Sequence, residues 1–278
     1  MSNNIPENAL ESTLDRSLTD ALKNIRIVMI QTSHTGNIGA AARAMKVMGL
    51  SNLTLVNPKK APDAQAIAMS SNAVDILDQA IIVENLSEAI ADCQLVVGTS
   101  ARQDRSLRWD IQDSRSCGEL IAKHANNQND AKVAILFGRE SSGLTNEELA
   151  LCQHLVHIPT NPDYNSLNIA SAVQILAYEC RLATMALGSN QAISTQTSLS
   201  KNANDEDQFV AAEDLDGYFD HLTKVMTELD FIDPKNPRYL IPRLRRLYSR
   251  SGIKRSEMNI LRGMLAAIQK GKTTKRNT

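Results

Sequence analysis

Ile25-Arg-Ile-Val-Met-Ile-Gln-Thr-Ser-His-Thr-Gly-Asn-Ile-Gly-Ala-Ala-Ala-Arg43 decides the class of the fold. Its first six residues form a β-branched, apolar run of strand length, which reads as a strand buried on both faces. A polar segment, Gln31 to Asn37, follows. From Ile38 to Met48 the chain reads as a helix stopped by Gly49, with Asn37 placed to cap its start. Strand, polar turn and helix in succession make the building unit of an α/β domain.

The same alternation continues downstream. Strands are expected at Leu53–Val56, Ile81–Val83, Leu95–Val97, Lys132–Phe137 and Leu155–Ile158, and helices over about 63–80, 87–91, 114–126 and 166–187. Strands separated by helices predict a mainly parallel sheet, and such sheets bind ligands at the carboxyl ends of their strands. Polar residues without an evident core role gather there: Gln31 to Asn37, Thr99 to Arg102, Gly138 to Glu140 and Pro159 to Ser166. Residues 1–22 read as a leader, and 188–207, rich in Ser, Asn, Gln and Thr, as a linker. Residues 208–278 read as a small α-helical domain, with helices near 208–230, 238–250 and 256–269. The last is expected to be capped by Ser256 and to bury one face of Ile260, Leu261, Met264, Leu265 and Ile268.

A net charge of −1 over 278 residues hides a strong asymmetry. From Lys235 to the end there are 13 Lys and Arg against one acid, Glu257, a net of +12, which leaves −13 on the rest. A basic segment on an otherwise acidic chain is the footprint of a nucleic-acid surface, although Lys272 to Thr278 reads as a solvated tail. Arg243, Arg245, Arg246, Arg250, Lys254 and Arg255 are the candidate RNA contacts there, with Arg102 in the first domain. The four cysteines are scattered and fit a reducing cytoplasm rather than a zinc site. No metal ligand set, membrane-length apolar run or secretory signal pattern is evident.

Three strings carry the chemistry: Asn37-Ile-Gly-Ala-Ala-Ala-Arg43, Ile135-Leu-Phe-Gly-Arg-Glu140 and Ile158-Pro-Thr-Asn-Pro-Asp-Tyr-Asn-Ser-Leu-Asn168. On the helix of the first string, Gly39, Arg43 and Lys46 share one sector of an otherwise apolar surface. That sector must face an anion, a carboxylate or an active-site mouth. A buried Arg43 paired with a structural acid is the plainer alternative, and Glu140 is its natural partner. In the second string Gly138 permits close approach of backbone to a ligand. In the third, Asn165, Ser166 and Asn168 crowd polar groups at a helix start, more than one cap requires. Phosphate-binding glycine motifs are missing from all three.

These strings resemble the three motifs of the SPOUT methyltransferases, in the branch that methylates tRNA ribose at the 2′-oxygen, over about residues 24–185. Arg238-Tyr-Leu-Ile-Pro-Arg-Leu-Arg-Arg-Leu-Tyr248 is similar to the C-terminal domain of those enzymes. The resemblance implies a deep trefoil knot and a catalytic domain over 23–187. It implies S-adenosylmethionine (AdoMet) as methyl donor, held by Thr99, Ser100, Ala101, Gly138, Ile158, Asn165, Ser166 and Leu167. It implies a homodimer with a shared active site and, as substrate, cytidine or uridine at position 32 of the tRNA anticodon loop. Arg43, Asn37, Glu140, Ser166 and Asn168 take the catalytic positions. The family role of Arg43 as proton acceptor is awkward, because arginine is effectively always protonated. Arg43 either binds a neighbouring phosphate and positions the hydroxyl, or takes the proton in a perturbed state. Other readings are a methyltransferase of the same fold acting on ribosomal RNA or another tRNA position, a non-catalytic RNA-binding relative, and a metabolite-binding α/β protein.

Overall fold

A computed structural model describes residues 18–101, 111–126, 131–194, 208–232 and 240–276. Seven strands form one sheet: β1 (Ile25–Ile30), β2 (Asn52–Val56), β3 (Ile81–Val83), β4 (Cys93–Thr99), β5 (Ile111–Asp113), β6 (Lys132–Phe137) and β7 (His154–His157). Their order is β3-β2-β1-β6-β4-β7-β5, and every pairing is parallel. The first three strands step outward from β1. The chain then crosses back to β4, and β6 fills the place between β1 and β4, with Ile27 beside both Leu53 and Ile135. Ligand sites in open α/β sheets form where the direction of winding reverses, and here that is the β1–β6–β4 region.

Alternation along the strands builds two cores. Ile25, Ile27 and Met29 of β1 and Val133, Ile135 and Phe137 of β6 point to one face. There they pack with helices α1 (Thr35–Met48), α2 (Ala64–Ser70), α3 (Val74–Asp78), α5 (Ser114–Ala125) and α7 (Ile169–Ser194). Val28, Ile30, Ala134 and Leu136 point to the other, against α4 (Leu86–Ile90) and α6 (Asn146–Ala150). Both faces being covered, the strands read as unbroken apolar runs rather than alternating ones. At the amino ends of β1, β4 and β6, Asp92 pairs with Arg26 at 2.7 Å and with Lys132 at 2.8 Å, far from the polar strand ends.

Several boundaries differ from the expectation, each for a local reason. Helix α1 begins at Thr35, with His34 at its cap position, so Asn37 lies inside the first turn and its side chain is free for tertiary bonds. The stretch 63–80 is two helices, because Ser71 takes a left-handed φ of 52°. Gly39 meets the next helix closely: a Cβ there would lie 2.0 Å from the Ala66 carbonyl oxygen. Strand β5 was not expected; three residues carry too little pattern to announce a strand. Helix α7 starts at Ile169 and continues through Gly188 to Ser194, further than its composition suggests. Leu22, at the end of the expected leader, is buried in the first core.

The C-terminal helices are α8 (Ala212–Glu228), α9 (Leu240–Arg250) and α10 (Arg255–Arg276). Tyr218, Phe219, Leu222, Met258 and Leu265 form their core. This unit packs on the sheet domain: Ala212 enters the second core, the Glu213 amide donates to the Ala91 carbonyl at 3.1 Å, and the Phe209 ring lies 5.3 Å from the His124 ring. Helix α10 begins at Arg255, so Ser256 is not its cap; the Lys254 amide is taken by the Glu257 carboxylate instead. Its expected apolar face is also corrected. Met258 and Leu265 are buried and Leu261 half-buried, but Ile260, Met264 and Ile268 are exposed, Ile260 by 64%. Those three lie roughly 100° around the helix from the buried set, beyond the reach of α8.

Candidate active site

The three polar strings meet at the carboxyl ends of β1, β4, β6 and β7. After β1 the chain passes Gln31, which holds a left-handed φ of 49°, and enters α1. Glu140, just after β6, lies against that helix start. Its carboxylate accepts from the Ser33 amide at 3.2 Å, the Ser33 hydroxyl at 3.1 Å, the His34 amide at 3.4 Å and Asn37 Nδ2 at 3.0 Å. A carboxylate at a helix N-terminus also meets the positive end of the backbone dipole. Burial pushes the Glu140 carboxyl up, but the bonds from Asn37 and Ser33 outweigh this and hold it below its ordinary value. Asn37 Oδ1 in turn accepts from Asn168 Nδ2 at 3.1 Å, and Asn168 Oδ1 caps α7 by accepting from the Ala170 amide at 2.8 Å. One chain of hydrogen bonds thus joins the three strings.

A second network shapes the loop after β6. Arg139 forks onto Glu148 with two 2.9 Å bonds, and its Nε donates to Gln31 Oε1 at 2.9 Å. Glu148 belongs to a capping box with Thr145 at the start of α6. The loop folds back so tightly that a Cβ on Gly138 would lie 2.1 Å from the Gly143 carbonyl carbon. Gly138 therefore makes room for its own loop. On β4, the Thr99 hydroxyl donates to the Leu136 carbonyl at 2.9 Å, and the Ser100 carbonyl lies 3.1 Å from His157 Nδ1. Pro159 precedes, and Pro162 lies within, the turn in which the Tyr164 amide donates to the Asn161 carbonyl at 3.0 Å.

These loops surround a cavity of about 670 Å³. Thr99, Ser100, Ala101, Gly138, Ile158, Asn165, Ser166 and Leu167, all expected at a donor site, line it. So do Asn37, Glu140 and Asn168. Arg43 does not: it is exposed on α1 and makes no hydrogen bond or ion pair among the described residues. The expected Arg43–Glu140 pair is thus replaced by Glu140 on Asn37 and Ser33, and a buried Arg43 is ruled out. Lys46, from the same sector, pairs with Asp75 at 2.7 Å. His34, Arg139 and His157 also line the cavity, and residue patterns did not single them out. Arg139 sits inside the second string beside Gly138, so its place was readable but its partners were not. Neither histidine has a sequence neighbour that marks it.

Comparison with known proteins agrees with this geometry. The model of the SpoU rRNA Methylase family matches residues 24–178, and that of the tRNA methyltransferase TrmJ C-terminal domain matches 213–278. The chain belongs to the SpoU methylase family. A relative from Pseudomonas aeruginosa, named tRNA (cytidine/uridine/adenosine-2′-O-)-methyltransferase TrmJ, is 48% identical over 249 residues, covering 90% of this chain and 95% of its own. Among solved structures, TrmJ from Z. mobilis ZM4 superposes with a TM-score of 0.72 at 28% identity, covering 88% of this chain and 98% of its own. A probable methylase family protein from Haemophilus influenzae gives a TM-score of 0.57 at 40% identity, covering 91% and 99%.

Within this SpoU methylase the candidate RNA contacts fall into distinct settings. Arg243, Arg250 and Arg255 are exposed, and Arg246 and Lys254 half-buried, in or near α9 and the start of α10. Arg245 faces inward: it pairs with Asp216, and its guanidinium lies 4.7 Å from the Phe219 ring centroid. Arg102 lies outside the described residues. Among the described residues no helix is long and apolar enough to cross a membrane.

Proposed function

We propose that this SpoU methylase transfers a methyl group from AdoMet to the ribose 2′-oxygen of cytidine or uridine at position 32 in the tRNA anticodon loop. The observation that carries the reading is the union of the three strings around one cavity through Glu140, Asn37 and Asn168. The relatives' names supply the substrate class. The cavity is of a size that suits a small-molecule site, and its lining fits AdoMet: small side chains and loop backbone from Thr99 to Ala101, at Gly138 and Ile158, and from Asn165 to Leu167. AdoMet when bound supplies an electrophilic methyl on a sulfonium.

The protein's task is then to bring a poor nucleophile into line with that methyl. Glu140, Asn37 and Asn168 lock the start of α1 to the loop that carries Ser166, which leaves Ser166 to orient the ribose. Arg43, exposed and without an acidic partner among the described residues, is suited to grip a backbone phosphate as a permanent cation. Because it stands outside the donor cavity, it serves the cavity of a partner subunit in a homodimer. The exposed arginines near α9 hold the tRNA body. The segment after β6 is threaded as a knot, in keeping with the insertion of β6 between two strands already laid down. The enzyme works in the cytoplasm.

The test is a map of ribose methylation in tRNA from cells with and without the protein. Loss of the 2′-O-methyl group at position 32 alone is expected. Intact methylation there, with a loss in ribosomal RNA or at another tRNA position, would reject the substrate assignment.

A further inference from the structure

We propose that the Tyr164 ring is the stacking platform for the base of the target nucleotide, an inference that deepens the tRNA reading above and rests on it. A ribose of the anticodon loop reaches the cavity only when its nucleotide leaves the stack of its neighbours, and the freed base then needs a new partner. Aromatic side chains serve this purpose, because every base has a π face. Among the described residues three Phe, Tyr or Trp side chains are exposed: Tyr164, Tyr178 and Phe231. Tyr178 lies on α7, and Phe231 lies beyond the end of α8. Tyr164 is the one of the three on a loop at the carboxyl ends of the strands, between β7 and α7.

Its backbone is anchored on both sides. Thr160 before it and Asn165, Ser166 and Leu167 after it line the donor cavity. Consecutive Cα atoms are about 3.8 Å apart, so the ring is attached at the cavity mouth. The Tyr164 amide donates to the Asn161 carbonyl at 3.0 Å, and the Asp163 amide donates to Asn161 Oδ1 at 3.0 Å. Pro162, between them, locks its own φ and stiffens the turn. The side chain itself is 77% exposed and makes no hydrogen bond or ring contact among the described residues. A single exposed apolar side chain is ordinary on a protein surface. This one differs because a stiff turn holds it beside the residues that line the donor cavity.

The local charge favours a base over the RNA backbone. Asp163, next to the ring, is exposed and has no ion pair among the described residues, and a free carboxylate repels a phosphate. Phosphates are left to Arg43 and to the exposed arginines near α9. Stacking uses the flat face of a base and not its hydrogen-bonding edge, so one platform accepts cytidine and uridine alike. A tyrosine ring has two χ angles and loses little conformational freedom when it is covered. Ser166, which orients the ribose, lies two residues on, within roughly 7 Å along the chain. Base and sugar of one nucleoside are thus held by one short segment, the base on Tyr164 and the sugar at Ser166.

The test is equilibrium binding of a tRNA transcript in the presence of S-adenosylhomocysteine, with the full-length protein, Tyr164→Phe and Tyr164→Ala, each checked by thermal melting. A second transcript carries an abasic ribose at position 32. Tyr164→Phe should bind like wild type, because the ring alone stacks. Tyr164→Ala should bind about 5- to 150-fold more weakly, the range for one lost base–aromatic stack, with S-adenosylhomocysteine affinity within about twofold of wild type. Wild type should lose a similar factor on the abasic transcript, and Tyr164→Ala should lose almost nothing further, since the partner is already gone. Losses that multiply would put the ring against some other group and overturn the assignment. So would a Tyr164→Ala protein that binds like wild type, a Tyr164→Phe protein as weak as Tyr164→Ala, or an equal fall in S-adenosylhomocysteine affinity. A wild-type protein that leaves the ribose at position 32 unmethylated instead sinks the underlying reading, and this inference with it.

Discussion

Glu140 shows how one side chain serves both stability and site geometry. Its carboxyl is held below its ordinary value in the folded chain, against the push of burial, by donors from Asn37 and Ser33. A group with a depressed folded pKa contributes its stability in full above its unfolded pKa, ~4.3 for Glu, and loses it as pH falls through the folded value. The gap in melting temperature between wild type and Glu140→Gln should therefore be widest near neutral pH and should shrink on acidification below about pH 5. A gap that is constant with pH would mean that the ionised carboxylate is not what holds the helix start. Asn168→Ala removes both the bond to Asn37 and the cap on α7, and should cost about 1 kcal/mol in denaturant unfolding, with a larger loss of methyl transfer. Arg43→Ala has the opposite profile. Exposed and outside the cavity, it should abolish methylation while leaving AdoMet affinity and stability near normal, and Arg43→Lys should rescue poorly, because a point charge does not replace a planar fork.

At the scale of elements, the basic segment divides in two. Arg245 is committed to Asp216 and Phe219, so Arg245→Ala should lower the melting temperature of the helical unit, at a cost of about 1–2 kcal/mol. Arg243 and Arg250 are exposed, and Arg243→Glu with Arg250→Glu should leave stability unchanged and weaken tRNA binding. The measurement is the salt dependence of affinity, whose slope should fall by roughly 0.7–0.9 log units per tenfold salt for each phosphate that is no longer neutralised. An unchanged slope would place the tRNA elsewhere. The loop from Gly138 to Thr145 is an element of the same kind, shaped by its own backbone. Gly138→Ala should destabilise by about 1–3 kcal/mol through forced opening of that loop, and donor binding should fail with it.

For the whole molecule, the decisive question is whether one site draws on two chains. Ala101 is exposed and lines the cavity, so Ala101→Trp blocks the donor without disturbing a core. If the proposed homodimer forms and the two groups come from opposite chains, subunit exchange between Arg43→Ala and Ala101→Trp proteins leaves half of the mixed dimer's sites intact, and activity partly returns. No recovery would place both groups on one chain. Much of this protein was legible in its sequence. The apolar runs at 25–30 and 132–137 announced strands buried on both faces, and Gly49 announced the end of α1, because hydrophobic period and backbone freedom are local properties. The three strings and the basic segment could be named from residues alone. The order β1-β6-β4 could not, since pairing between distant strands leaves no local mark. Nor could the partner of Glu140, the inward turn of Arg245, or the place of His34 on the cavity rim. Each depends on which groups the fold brings within about 3 Å, and a charged or aromatic side chain carries no label for the neighbour it will meet.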